Sequence, residues 1–121
     1  MGKFNYPIAI DFQGVVAEYH GYKGEGIYEK PMNGAKEFLQ KLKDVDIEFN
    51  IFTTEPTKKV IEWMKKYKMP MPVKVTNVKE PAPVYIDDRV IKFNGDFGKL
   101  IKDMKDFNVY WKSDKIFKDL L

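Results

Sequence analysis

The chain has no cysteine, only one histidine and only two tryptophans. Without cysteine there are no disulfides, no thiolate nucleophile and no cysteine-ligated zinc, and the composition suits a reducing compartment. His20 lies in a glycine-rich stretch and reads first as a surface residue. No run approaches the roughly 20 apolar residues of a membrane-spanning helix. The opening MGKFNYPIAIDF also lacks the sustained apolar stretch of a secretory leader. These absences predict a cytoplasmic protein with no membrane partner. Charge of one sign is scarce too, because 21 basic against 18 acidic residues leave a net charge of only +3. Such an excess draws anions weakly. The lysines between Thr57 and Lys68 read as the solvated face of a helix, so nucleic acid is not indicated.

What is present suffices for one compact core. Of the 121 residues, 44% are hydrophobic and 15% aromatic, while 32% are charged and can solvate the surface. That size and composition predict a single globular domain spanning residues 1–121. Tyr6 to Ile10 is an apolar run that stops at Asp11, the pattern of a buried strand delivering a polar residue to its C-terminal end. The segment from Ala17 to Asn33, rich in glycine, predicts a loop or small flap, and long loops of this kind are often functional.

Ala35, Phe38, Leu39 and Leu42 recur at helical spacing and predict an amphipathic helix, with Asn33 as its N-cap. Ile47 to Phe52 reads as a second strand, stopping at Thr53 and Thr54. A second helix follows Glu55-Pro56-Thr57, with Val60, Trp63, Met64 and Tyr67 on one face, and Pro70 and Pro72 end it. Val73 to Val75 and Val84 to Ile86 are further strand candidates, the latter ending at Asp87 and Asp88. Phe97, Leu100, Ile101, Met104 and Phe107 mark a third helix after a turn at Asn94-Gly95. Val109 to Trp111 reads as a last strand, and a terminal helix capped by Ser113 would carry Ile116, Phe117, Leu120 and Leu121. Trp63 and Trp111 are expected in the core or at its edge. Strands alternating with helices predict an α/β fold with a mainly parallel sheet covered on both faces.

Ligands of open parallel sheets bind outside the C-terminal strand edges, where Asp11, Thr53 and Asp87 are expected to meet. Asp11 can act as a carboxylate nucleophile or metal ligand. Asp87 and Asp88 offer oxygens to a hard cation, Thr53 offers a hydroxyl to an anion, and Lys79 a positive charge. A few carboxylates together with phosphate oxygens suit magnesium.

These segments resemble the four motifs of the haloacid dehalogenase-like superfamily, in order between about Tyr6 and Asp96. The likeness rests on Asp11-Phe12-Gln13-Gly14-Val15-Val16, on Thr53 after Phe49-Asn50-Ile51-Phe52, on Lys79, and on Tyr85-Ile86-Asp87-Asp88-Arg89. Pro31 to Leu42 is similar to the stretch that opens the first helix in many members. The resemblance implies a Rossmann-like three-layer sandwich, here without a separate cap domain. It implies a magnesium-dependent phosphohydrolase in which Asp11 attacks a phosphate ester and forms an aspartyl-phosphate. Asp11, the backbone carbonyl of Gln13, Asp87 and Asp88 would hold magnesium. Thr53 and Lys79 would bind the phosphoryl group, with Thr54 and Gly14 beside it. Small capless members act on large substrates or enclose them with another subunit, so a homo-oligomer fits the resemblance.

One departure limits that expectation. The family's phosphatases carry an aspartate two residues after the nucleophile as general acid and base, and this chain has Gln13 there. An amide cannot donate and recover a proton in that role, and such catalysis is typically worth about 10² to 10⁴ in rate. Three substitutes suggest themselves: Glu18, His20 and Glu55. The alternative function is a catalytically impaired module that keeps the metal and phosphate pocket.

Overall fold

The computed structural model describes residues 5–111, 115, 117 and 119. Four strands, β1 (Ile8–Asp11), β2 (Phe49–Phe52), β3 (Val75–Thr76) and β4 (Tyr85–Ile86), form one sheet in the order β3-β2-β1-β4. Every pairing is parallel: Ile10 lies opposite Ile51 on one side and Ile86 on the other, and Phe52 lies opposite Thr76. Three helices accompany them, α1 (Ala35–Asp44), α2 (Thr57–Lys66) and α3 (Phe97–Asp106). The chain is α/β, as its alternating pattern predicts. It divides into two compact units, Met1–Asp87 with the sheet, α1 and α2, and Asp88–Leu121 with α3.

In the first unit β1 and β2 are the two inner strands, and their apolar side chains bury themselves with those of the helices. Ile10, Leu39, Ile51, Val60 and Met64 are completely buried. Burial of each such side chain is worth roughly 1.5–3 kcal/mol, so this shared core is a main source of stability for the unit. Along α1 the core takes Ala35, Leu39 and Leu42, whereas Phe38, expected on the same face, is 42% exposed. Along α2 it takes Val60, Trp63 and Met64, with Tyr67 partly buried, as the spacing predicts.

The first helix is not capped by Asn33. Its N-cap is Gly34, whose φ of 86° lies in the left-handed region and which makes no side-chain cap bond. Glycine reaches that conformation without the steric cost an L side chain meets. In the second unit Asp96 caps α3, its carboxylate accepting from the amides of Gly98 (2.9 Å) and Lys99 (3.2 Å). Val109 to Trp111 is not a strand. Strand propensity mostly measures packing, and here Val109 is buried and Trp111 finds a side-chain partner without a ladder. The expected terminal helix from Ser113 lies largely outside the described residues.

The segment from 17 to 33 is a closed loop. Its stem is zipped by the amide of Glu18 donating to the Lys30 carbonyl (2.9 Å) and that of Met32 donating to Val16 (2.8 Å). Trp63 of α2 donates its indole N–H to the Glu29 carbonyl at 2.8 Å, tying the returning limb to the core. Phe12, immediately after Asp11, stands edge-on to both Tyr28 and Trp63, with ring centroids 5.1 and 4.9 Å away. The flap and the end of β1 thus share one aromatic cluster.

Candidate functional site

The strand order reverses beside β1. From β1 the chain steps outward through β2 to β3, then returns to place β4 on the other side of β1. Such a reversal opens a crevice at the C-terminal strand ends, where ligands of open α/β sheets bind. Asp11 ends β1 and Asp87 directly follows β4, so both stand at that reversal. Their carboxylates offer oxygens within 4.8 Å of each other. Asp88, the next residue along the chain, opens the second unit. The Asp88 side chain is 2% exposed, and its Oδ1 takes no hydrogen bond from any described residue, with Arg89 Nε at 4.0 Å. That guanidinium is a cation beside the buried oxygen, and carboxylate oxygens are also the ligand type that a hard divalent cation takes.

Thr53 follows β2 on the other side of β1 and is 3% exposed. Its amide continues the ladder to the Thr76 carbonyl (3.0 Å), and its Oγ1 accepts the amide of Glu55 (3.0 Å). With a lone pair so engaged, the hydroxyl hydrogen remains available to an anion. Asn77 Nδ2 donates to the carbonyls of both Thr53 and Glu55, the latter at 2.8 Å, fixing the strand end. Sequence reasoning missed Asn77, because a lone asparagine in a loop carries no spacing signal.

The other predicted residues take varied positions. Gln13 makes a backbone bridge to Ala17 at the mouth of the flap. Gly14 is buried at φ 94°, a conformation that favours glycine, and its amide donates to the Ala17 carbonyl (2.8 Å). Thr54 is exposed beside Thr53. Lys79, in the connection between β3 and β4, is exposed, its ammonium 4.9 Å from the centroid of the Tyr85 ring. Lys74, just before β3, is paired with Glu80 at 2.7 Å.

The three suggested proton donors do not form one cluster. Glu18 and His20 gather with Glu29 on the flap, their ligand atoms within 4.8 Å of one another. His20 holds Glu29 twice, through its amide (2.8 Å) and its Nδ1 (2.7 Å), while Lys30 stands 3.7 Å from Glu18. The hydrogen bond from the His20 side chain, only partly opposed by burial, holds the Glu29 carboxyl below its usual range. Glu55 sits apart at the end of β2. It is buried, and its Oε1 accepts from the Tyr28 hydroxyl (3.2 Å) and the Gly26 amide (3.4 Å). Burial and the nearby Glu55 charge push the Tyr28 hydroxyl up, so it remains a donor.

No family model, no curated protein and no solved structure matches the chain. No helix is long and apolar enough to cross a membrane among the described residues.

Proposed function

We propose that the chain is a magnesium-dependent phosphohydrolase that acts on a phosphate ester, with Asp11 as the nucleophile. The observation carrying this reading is the pair of carboxylates, Asp11 and Asp87, brought within 4.8 Å at the point where strand order reverses. The buried Oδ1 of Asp88 and the fixed hydroxyl of Thr53 support it. The wider reading is a haloacid dehalogenase-like, Rossmann-like three-layer sandwich without a cap, working in the cytoplasm.

In this reading Asp11, Asp87, Asp88 and the carbonyl of Gln13 would hold the metal, and it would supply positive charge against the carboxylates and phosphate oxygens. The carboxylate of Asp11 attacks phosphorus, the ester oxygen leaves, and water later cleaves the aspartyl-phosphate. Splitting the reaction in this way replaces one difficult displacement by two easier ones. Thr53 donates its hydroxyl hydrogen to a phosphoryl oxygen, and Lys79 contributes charge after turning from the Tyr85 ring. The test is phosphate release from a panel of esters with and without magnesium. Activity that needs magnesium and vanishes in Asp11→Asn is the expected result; equal rates in wild type and variant would sink the proposal.

Gln13 favours a second reading, a metal- and phosphate-binding module without turnover. Binding of inorganic phosphate with magnesium, combined with no ester cleavage across the panel, would select it.

A further inference from the structure

Glu55 occupies a position that the phosphate-site chemistry does not use. Its side chain faces the flap and its backbone faces the phosphate-binding threonine. On the flap side, Oε1 accepts from the Gly26 amide and the Tyr28 hydroxyl. On the strand side, its amide donates to Thr53 Oγ1 and its carbonyl accepts from Asn77, which also holds the Thr53 carbonyl. One residue therefore touches both the 17–33 loop and the hydroxyl of Thr53.

The surroundings make this joint specific. Glu55 is only 9% exposed, and a carboxylate buried to that extent needs compensating hydrogen bonds. The donors that meet it are the Tyr28 phenol at 3.2 Å and the Gly26 main-chain amide at 3.4 Å. Tyr28 extends the link, because its ring meets Phe12 edge-on and Phe12 adjoins Asp11. A Cβ at Gly26 would meet the aliphatic stem of Lys59, from the first turn of α2, at 3.4–3.6 Å, ordinary van der Waals contact, so the lysine stem lies beside the latch point.

We propose that Glu55 is a positioning residue that latches the 17–33 flap onto the end of β2, so that flap closure and the orientation of the Thr53 hydroxyl are set together. This rests on Thr53 being a phosphate-binding residue, the reading given above. Glu55 acts through Thr53 and the flap, without touching the ester.

The test compares wild type with Glu55→Ala, Glu55→Gln and Tyr28→Phe, reading amide hydrogen exchange, the Thr53 amide resonance and binding of inorganic phosphate with magnesium. Glu55→Ala should speed exchange at Gly26 and Ile27 by about tenfold, as expected for loss of a hydrogen bond. The amides of β1 should be unmoved, while the Thr53 resonance shifts and phosphate binds several-fold more weakly. Glu55→Gln retains an Oε1 acceptor and should restore most of each effect. Tyr28→Phe, the milder change, should loosen the flap if Glu55→Ala fails to fold. Flap exchange unchanged in both Glu55→Ala and Tyr28→Phe, or faster exchange spread equally over β1 and β2, would overturn the latch. A flap that loosens and shifts Thr53, in a protein whose wild type binds no phosphate, would support the latch and reject the phosphate site instead.

Discussion

Trp111 donates its indole N–H to Oδ2 of Asp88 at 2.6 Å, across 23 residues of chain. The bond fixes one oxygen of a buried carboxylate, while the other, Oδ1, stands 4.0 Å from Arg89 Nε and accepts no hydrogen bond from any described residue. Groups that orient a metal-binding carboxylate typically carry 10- to 100-fold of metal affinity. Trp111→Phe keeps an aromatic body and removes the donor, so magnesium should bind about tenfold more weakly by calorimetry. Wild-type tryptophan fluorescence should respond to magnesium, and that response should be lost in the variant. Unaltered affinity would show that Asp88 is oriented without the indole.

Glu29 provides a pH test of the flap. Its carboxyl is held below the usual range, chiefly by the His20 side chain. The folded flap therefore favours the ionised form relative to the unfolded chain. Its contribution to stability is fully present above the ordinary carboxylate value and is lost as pH falls through the depressed one. Titration of the Glu29 carboxyl by NMR should show this low value in wild type. In His20→Ala it should move back up, and flap amides should then loosen at a higher pH than in wild type. A Glu29 titration identical in the two proteins would remove His20 as the cause.

Gly34 tests the start of α1. A Cβ added there would meet no atom within 4 Å, so space is not limiting, but the φ of 86° would be strained for any L residue. Gly34→Ala should cost about 1–2 kcal/mol, the penalty of a left-handed L residue. The denaturation midpoint should drop at unchanged slope. An unchanged midpoint would mean that the loop relaxes into another conformation at little cost.

The sequence made legible whatever depended on period and on strand ends. Ile8, Ile10 and the abrupt Asp11 marked β1, and the i, i+3, i+4 spacings of Leu39, Leu42, Val60, Trp63 and Met64 marked the two buried helix faces. The order of the strands was not visible in this way, since it depends on which edges pair; yet that order is what puts Asp11 beside Asp87. Nor could spacing reveal that Asn77 clamps the Thr53 carbonyl, that Tyr28 reaches Glu55 across 27 residues, or that Trp111 binds Asp88. Those are single long-range polar contacts, and nothing periodic announces them. Phe38 shows the reverse failure: its spacing fits the apolar stripe of α1, but the stripe that packs is narrower than the one that is written.

Gln13 decides between slow chemistry and binding alone. Its structural role is a backbone bridge to Ala17, which a change of side chain leaves in place, so Gln13→Asp should fold normally. An aspartate there would supply the proton donor and acceptor that the amide lacks, a gain typically of about 10² to 10⁴ in rate. The gain should depend on the leaving group. An alkoxide needs a proton as it departs, whereas a nitrophenolate leaves readily without one. Phosphate release from an alkyl phosphate should therefore rise far more in Gln13→Asp than release from p-nitrophenyl phosphate, both with magnesium present. An equal rise for both esters would place the new carboxylate in the hydrolysis of the aspartyl-phosphate. No rise for either would mean that another group already moves the proton.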